Sequence, residues 1–334
     1  MSDGRYDEAG VSLTAGERTV ELIRHGLVSS RPEVEEGVGG FAGLFSLPGP
    51  TRLVAGCDGV GTKVLVAAEL NRWDSIGVDL VAMSVNDILT LGAEPLFFLD
   101  YVATGSLDPD QVAAVVLAVD RACAIVGAAL LGGETAEMPG VYRPGHLDLA
   151  GFAVGRLIDD RWPHPAVEPG QRVIGVASDG LHANGFSLVR QIRQRAGILW
   201  EDRVPGGDTT WAEEVLRPTR LYVRPVLEAI RRHPVSAMAH ITGGGLPGNL
   251  PRVLGGLGAR IDASAWVEPP IFRALEAAGD VSRAEMRRVF NCGVGYCLIT
   301  PVEDVDSVLA SLRRAGETAW DIGEVSEIQG VTWI

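Results

Sequence analysis

Between a short apolar segment and a helical one, the chain reads Asp58-Gly59-Val60-Gly61-Thr62-Lys63. The apolar residues of Leu53–Cys57 predict a strand, and those of Thr62–Leu70 predict a helix. Glycines at such a junction let the backbone approach a ligand, and free amides at a helix start attract an anion. The run differs in its glycine spacing from a Walker A sequence and from a dinucleotide-binding fingerprint. It predicts an anion-binding loop within an α/β domain.

Lys63 is the only lysine among the 29 basic residues of the chain. Its compact ammonium suits a phosphate or a tight ion site that the broad guanidinium of arginine cannot enter. A lysine retained by chance on the surface is the alternative, but the neighbouring acid, glycines and hydroxyl favour a ligand site. We expect Lys63 to contact a bound phosphate or to belong to a tight ion site.

The composition narrows the class of protein. The 334 residues, of which 46% are hydrophobic and 42 are glycine, predict a soluble α/β protein of two domains. A net charge of −14 disfavours nucleic acids and anionic membranes as partners. The chain shows neither an export signal nor an apolar membrane span, and its four cysteines form no C-x-x-C pair. We expect a cytoplasmic protein with reduced thiols.

Strand and helix patterns alternate along the chain, which predicts α/β layers in both halves. A proline-rich connector, Asp159–Gly170, is expected to separate them. We predict an N-terminal segment over residues 1–50, an N-terminal α/β domain over 51–160 and a C-terminal α/β domain over 171–334. The other predicted helices are Ala15–Val28, Ile76–Leu91, Asp108–Ile125, Phe186–Arg195, Pro218–Arg232 and Leu246–Leu254. The other predicted strands are Pro95–Tyr101, Ala128–Gly132, Leu149–Leu157, Arg172–Ala177 and Ala237–Ile241.

A polar pair, Asn86-Asp87, interrupts the predicted apolar helix Ile76–Leu91. Asp79 lies about two helical turns before Asp87, so the two carboxylates share a face and could serve one site. A capping or salt-bridged pair is the alternative.

Two further acids, Glu134 and Glu137, lie in the glycine-flanked run 132–140, which we predict to be a loop. Together with Asp58 and Asp87 they provide the hard oxygen ligands that magnesium takes while it bridges ATP phosphates. A solvated acidic turn is the alternative for this run.

Two turns of the C-terminal half carry further candidates. His182 and Asn184 lie in the glycine-bounded run 179–185 between a predicted strand and helix. His182 could donate a proton and Asn184 could bind amide or hydroxyl groups, although a lone histidine is often structural. Gly243-Gly244-Gly245 also follows a predicted strand, and we expect it to form a second anion-binding loop.

Together these runs closely resemble the phosphoribosylformylglycinamidine cyclo-ligase family, also called aminoimidazole ribonucleotide synthetase. The resemblance covers nearly the whole chain and rests on residues 6–11, 58–63, 77–83, 92–101, 132–140, 240–245 and 290–295. It implies two α/β domains per subunit and a homodimer in which the N-terminal sheets join into a β-barrel, with ATP sites near the dimer interface. The implied reaction uses ATP to convert the formyl oxygen of formylglycinamidine ribonucleotide into an iminophosphate. Ring closure then gives aminoimidazole ribonucleotide, ADP and phosphate.

The resemblance also implies roles for individual residues. It implies catalytic roles for Lys63, His182 and Asn184, and magnesium ligation by Asp58, Asp87 and Glu134. The residues implied to bind ATP and its phosphates are Asp58, Gly59, Gly61, Thr62, Lys63, Asn86, Asp87, Gly132, Gly133, Glu134, Gly243, Gly244 and Gly245. Many relatives carry a lysine and a cysteine where this chain has Arg24 and Ser84, so an active enzyme here needs neither that amine nor that thiol.

Related ATP-using families are the alternatives. Selenophosphate synthetase would need a reactive residue in the N-terminal segment, yet no cysteine precedes Cys57. The hydrogenase maturation carbamoyl dehydratase would need a C-terminal cysteine, and this chain ends in Ile334. A thiamine-phosphate kinase is harder to exclude, although the run Gly92–Tyr101 argues against it. A non-catalytic nucleotide-binding regulator would have no need for His182 or for the full set of acids.

Overall fold

The computed structural model describes residues 5–29, 31–159 and 166–334. Its helices are α1 (Arg5–Glu8), α2 (Leu13–Gly26), α3 (Lys63–Leu70), α4 (Asp74–Leu89), α5 (Pro109–Val126), α6 (Phe186–Ala196), α7 (Trp211–Val215), α8 (Val223–Arg232), α9 (Gly245–Asn249), α10 (Pro270–Gly279), α11 (Arg283–Val289) and α12 (Val305–Arg314). Its strands are β1 (Val34–Glu36), β2 (Gly43–Ser46), β3 (Arg52–Gly59), β4 (Ala93–Thr104), β5 (Ala129–Glu137), β6 (Leu147–Leu157), β7 (Arg172–Ala177), β8 (Ala237–His240), β9 (Gly258–Ile261), β10 (Val294–Thr300), β11 (Ala319–Ser326) and β12 (Gly330–Trp333). The alternation confirms the predicted two-domain α/β fold.

The N-terminal sheet has the strand order β1-β2-β3-β6-β4-β5, antiparallel except for the parallel pair β4–β5. Helices α4 and α5 cover one face of this sheet. On the opposite face, apolar side chains are exposed: Phe152 is 48% exposed and pairs with Leu99, which is 38% exposed. The sheet therefore has one buried face and one apolar face open to solvent.

The C-terminal sheet has the order β12-β9-β11-β7-β10-β8, and only β12 and β9 pair in parallel. Alternate residues of its strands pack into two different hydrophobic cores, because successive side chains of a strand point to opposite faces of the sheet. On β7, Ile174 packs in a cluster shared with the N-terminal domain, whereas Val173 packs in a cluster confined largely to the C-terminal domain. The two domains are thus joined by continuous apolar packing.

Three predicted elements differ from the structure. Strand β5 runs on through residues 132–137, so the predicted acidic loop is an extended edge strand. The predicted helix Pro218–Arg232 begins only at Val223, because backbone groups before it bond to buried side chains of the N-terminal domain. The predicted helix Leu246–Leu254 changes at Asn249 from an α-helix to a 3-10 turn.

Half of the boundary predicted at Asp159–Gly170 lies outside the described residues, which omit 160–165, and it stays a prediction. Among the helices that are described, none is long and apolar enough to cross a bilayer.

Candidate active site

Acidic residues of the N-terminal domain meet the C-terminal domain at His240. Asp87 lies near the end of α4, and its Oδ1 is 2.8 Å from Nδ1 of His240, the last residue of β8. The His240 side chain has no exposed surface, whereas that of Asp87 is 18% exposed. One carboxylate oxygen of Asp87 is therefore held across the domain interface while the side chain keeps some access to solvent.

Asp58, at the end of β3, lies in the same region. Burial, followed by the nearby charge of Asp87, raises the pKa of the Asp58 carboxyl to about 6. Its Oδ1 accepts a hydrogen bond only 2.7 Å long from the amide of Gly59. Two carboxylates that repel each other fit a divalent cation, and magnesium in nucleotide sites commonly takes one or two carboxylates plus phosphate oxygens.

Glu134 is not part of this pair within one chain. Across the sheet, Asp58 pairs with Gly151, Gly151 with Asp100, and Asp100 with Gly133. Three strand spacings therefore separate Asp58 from the neighbourhood of Glu134, a distance of roughly 14 Å. Among the described residues, no group of three or more histidine, cysteine or acidic side chains could hold a metal ion. The structure brings together two of the three predicted magnesium ligands.

The triglycine run begins three residues after the end of β8, and its glycines determine its shape. Gly244 and Gly245 have φ angles of +100° and +58°, and a Cβ on Gly245 would lie 2.0 Å from the Arg287 carbonyl oxygen. Nδ2 of Asn249 donates to the carbonyl oxygens of Gly243 and Gly245 at 3.2 and 2.9 Å. Asn249 therefore holds the loop through hydrogen bonds to the carbonyl oxygens of the loop.

Asn184 lies beside this loop. Its Oδ1 is 3.5 Å from the position that a Cβ on Gly243 would occupy, and its Nδ2 is 3.9 Å from Sδ of Met83. The structure thus brings Asn184 and the triglycine run together, with the amide partly exposed.

Sequence reasoning misses Arg252, although this residue interrupts the apolar run Leu246–Leu254. Its guanidinium lies 3.7 Å from the ring centre of Phe41, and Nη2 donates to the Gly40 carbonyl oxygen at 2.8 Å. Nη1 donates to Asn249 Oδ1 at 3.2 Å. Burial lowers the pKa of Arg252, and the charges of Asp87 and Asp58 oppose that shift. This cation links the glycine-rich N-terminal segment to the triglycine loop.

Lys63 does not face this site. Its side chain has no exposed surface, and Nζ lies 2.8 Å from Asp79 Oδ2. It also donates to the carbonyl oxygens of His182 at 2.9 Å and Arg217 at 2.8 Å. Burial lowers the pKa of Lys63 and raises that of Asp79, and their attraction opposes both shifts. The expected contact with a triphosphate is replaced by contacts with the other domain, because Lys63 begins α3 on its inward side.

The His182 ring is also inside the protein. It is 1% exposed, and Nε2 accepts a hydrogen bond from the Asp179 amide at 3.1 Å. Burial, followed by the charges of His240 and Lys63, lowers the pKa of His182 well below its usual range, so the ring is neutral. The ring centre is 6.2 Å from that of Tyr222. The expected proton donation to a substrate does not match this buried position.

Two other predicted ATP ligands make structural contacts. Asn86 donates to the Arg220 carbonyl oxygen at 2.9 Å and accepts from the Tyr222 amide at 3.1 Å. Thr62 Oγ1 lies 3.2 Å from Ser187 Oγ. Both side chains therefore join the domains.

The remaining predicted glycines fall into two groups. Gly59 and Gly133 are sites of close approach, because an added Cβ would meet the Leu149 carbonyl oxygen at 2.9 Å and Asp100 Oδ1 at 2.4 Å. Gly61 and Gly132 have open space around them, and Gly61 has a positive φ of +69°.

The fold and the site define the class of protein: it is a two-domain α/β protein in which a carboxylate pair and a glycine loop meet where the domains contact each other. The family model described as "AIR synthase related protein, N-terminal domain" matches residues 39–157. The model described as "AIR synthase related protein, C-terminal domain" matches residues 168–334. The chain is 49% identical to phosphoribosylformylglycinamidine cyclo-ligase of Desulfitobacterium hafniense, over 98% of this chain and 99% of that protein. It belongs to the phosphoribosylformylglycinamidine cyclo-ligase family.

Solved structures share the fold at lower identity. The protein tt0281 of Thermus thermophilus has a TM-score of 0.69 at 20% identity, with 95% of each chain covered. Thiamine monophosphate kinase of Aquifex aeolicus has a TM-score of 0.64 at 17% identity, covering 97% of this chain and 98% of its own. At this identity the likeness concerns the fold alone.

Proposed function

We propose that the chain catalyses the ATP-dependent cyclisation of formylglycinamidine ribonucleotide to aminoimidazole ribonucleotide, with release of ADP and phosphate, in purine biosynthesis. The 49% identity to a curated cyclo-ligase over nearly the full length carries this proposal. The contact between Asp87 and His240 supports it, since it joins one carboxylate of the acidic pair to the strand end that precedes the triglycine loop.

The residues divide the chemistry between them. Asp58 and Asp87 hold the magnesium of MgATP, which when bound screens the phosphate charges. The amides of Gly243–Gly245 bind phosphate oxygens, and Asn184 orients the substrate beside them. The formyl oxygen attacks the terminal phosphorus, ADP leaves, and the formamide nitrogen loses its proton to give the iminophosphate. The amidine-side nitrogen then attacks the activated carbon, the carbon–oxygen bond breaks, and phosphate leaves with that oxygen while a proton is lost from nitrogen. Positioning and charge stabilisation do most of this work.

The enzyme is a cytoplasmic homodimer in this proposal. The exposed apolar face of the N-terminal sheet, which includes Leu99 and Phe152, is of the kind that a second copy covers. Its pairing into a barrel would also explain Glu134, which lies too far from Asp58 in one chain to share a metal. A second copy would have to bring Glu134 to the site.

The test is the release of ADP and the formation of aminoimidazole ribonucleotide by the purified chain with ATP, magnesium and formylglycinamidine ribonucleotide. Thiamine phosphate is the comparison substrate, and Asp87→Asn is the variant expected to lose activity. The proposal fails if formylglycinamidine ribonucleotide does not stimulate ADP release.

A further inference from the structure

Two buried charged residues at the domain interface, Lys63 and Asp79, bind each other and groups of the C-terminal domain. Lys63 and Asp79 lie on α3 and α4 of the N-terminal domain, and both have no exposed surface. Besides each other, they bond to groups of the C-terminal domain. Lys63 Nζ donates to the carbonyl oxygens of His182 and Arg217, and Asp79 Oδ1 accepts from the amide and the hydroxyl of Thr219, both at 2.7 Å.

The partners belong to two segments that lack regular structure of their own. Segment 217–222 connects α7 to α8, and its other end is held by Asn86. The second segment is the turn 179–185, in which His182 has a φ of +60°. A non-glycine residue in this region persists only where surrounding contacts hold it. The bond from Lys63 to the His182 carbonyl is such a contact.

Asn184 lies two residues beyond His182 and faces the triglycine loop at Gly243. A displacement of the His182 carbonyl would therefore move Asn184 relative to that loop. The shape of the ammonium matters here, because its three hydrogens point in three directions toward three acceptors. A planar guanidinium directs its donors in one plane and does not match this arrangement.

We propose that Lys63 and Asp79 are positioning residues of the reaction: together they hold the turn 179–185 so that Asn184 faces the triglycine loop. The proposal rests on the proposed function for its kinetic consequence. Neither side chain has exposed surface through which it could touch the substrate or ATP. The requirement for a compact three-way donor at this one buried position accounts for the only lysine in the chain.

The test removes both charges together. Lys63→Met alone would leave Asp79 as an unpaired buried charge and could unfold the protein, whereas Lys63→Met/Asp79→Leu leaves a neutral interior of similar volume. The matched control is Arg172→Met/Asp321→Leu, a pair 3.0 Å apart within the C-terminal sheet. A circular dichroism melt of each double variant establishes that it is folded.

Hydrogen exchange of the full-length protein gives the first readout and requires no activity. The amides of residues 179–185 should exchange at least about tenfold faster in Lys63→Met/Asp79→Leu than in the wild type, because a local opening becomes easier. The control pair should leave that segment unchanged. Unchanged exchange at residues 179–185 in the folded double variant overturns the proposal, whatever the wild-type activity is.

Kinetics give the second readout. The double variant should lose about 10- to 100-fold in kcat, while the KM for ATP stays within about threefold, because misplacement affects the reacting geometry more than nucleotide binding. The control pair should keep wild-type kinetics. If the wild type is active and the double variant has the same kcat, the positioning role of Lys63 and Asp79 is refuted, whereas the proposed function stands. If the wild type is inactive, the proposed function is refuted. The hydrogen-exchange result then shows by itself whether Lys63 and Asp79 hold the turn 179–185.

Discussion

Lys63 Nζ lies 2.8 Å from Asp79 Oδ2, and neither side chain has any exposed surface. We therefore expect Lys63→Arg to lower the free energy of unfolding by about 2 to 4 kcal/mol, because a larger planar cation overpacks the pocket and loses bonds to the opposite domain. A Lys63 that contacted a phosphate, as the sequence leads us to expect, would instead give a variant that keeps its fold and loses activity. Urea denaturation checks the new expectation. Arg172→Lys, at a partly exposed pair, is the control and should change stability far less. An unchanged urea midpoint for Lys63→Arg would contradict it.

Asp58→Asn should stabilise the metal-free protein at pH 7.5 by about 1 to 3 kcal/mol. The folded-state pKa of about 6 lies above the usual value of 3.8, so ionisation of Asp58 opposes folding. Stability is therefore lost as pH rises from about 4 to 6 and changes no further from this group above that range. Urea unfolding in the presence of a chelator should show the gain at pH 7.5 and a smaller gain at pH 5. A destabilised Asp58→Asn at pH 7.5 would show that the carboxylate is neutralised by another partner.

The sequence predicts the elements of this fold well and the neighbours of its buried polar residues poorly. The helix after Asp108-Pro109 and strand β7 are predicted nearly to the residue, because capping and apolar periodicity are local signals. The orientation of Lys63 depends on which side of α3 meets the C-terminal domain, and no local pattern contains that information. A ligand loop and a domain contact use the same residue types.

The roles of two site residues, which the sequence does not reveal, show the same limit. His240 and Arg252 each stand in a recognisable position, at a strand end and within an apolar run. Their importance comes from partners 153 and 212 residues away, Asp87 and Gly40. Pairings over such separations are made by the tertiary fold and cannot be read from spacing.

His240→Gln should weaken magnesium-dependent ATP binding by about 10- to 100-fold, because a residue that orients a metal-ligating carboxylate contributes to affinity without touching the metal. The measurement is the KM for ATP as a function of magnesium concentration, with excess magnesium expected to restore part of the activity. The partly exposed His146 provides the control His146→Gln, which should behave as the wild type. Equal magnesium dependence in the His240 variant would argue that Asp87 does not ligate the metal.

His182→Gln should reduce the loss of stability that acid causes. The folded state keeps the His182 ring neutral, with a pKa well below 6.5, whereas the unfolded chain takes up a proton as pH falls through 6.5. This residue therefore stabilises the fold above the unfolded pKa, and that stability is lost as pH decreases below it. Between pH 7 and pH 5 the wild type should lose roughly 2 kcal/mol more than the variant. Parallel pH profiles from chemical denaturation would show that His182 is protonated in the folded protein.

Glu134→Gln and Asp87→Asn should each be nearly inactive alone and should recover activity when mixed. In one chain these residues lie at separate places on the sheet, so a shared magnesium site requires Glu134 from a second copy. A hybrid dimer then contains one intact site, built from Asp87 of the first variant and Glu134 of the second. After the two proteins are unfolded together and refolded, random pairing should restore about one quarter of wild-type turnover. Mixing without refolding is the control and should stay inactive if subunits do not exchange. Failure of the refolded mixture to exceed the separate variants, with dimers confirmed by analytical ultracentrifugation, would place Glu134 outside the active site.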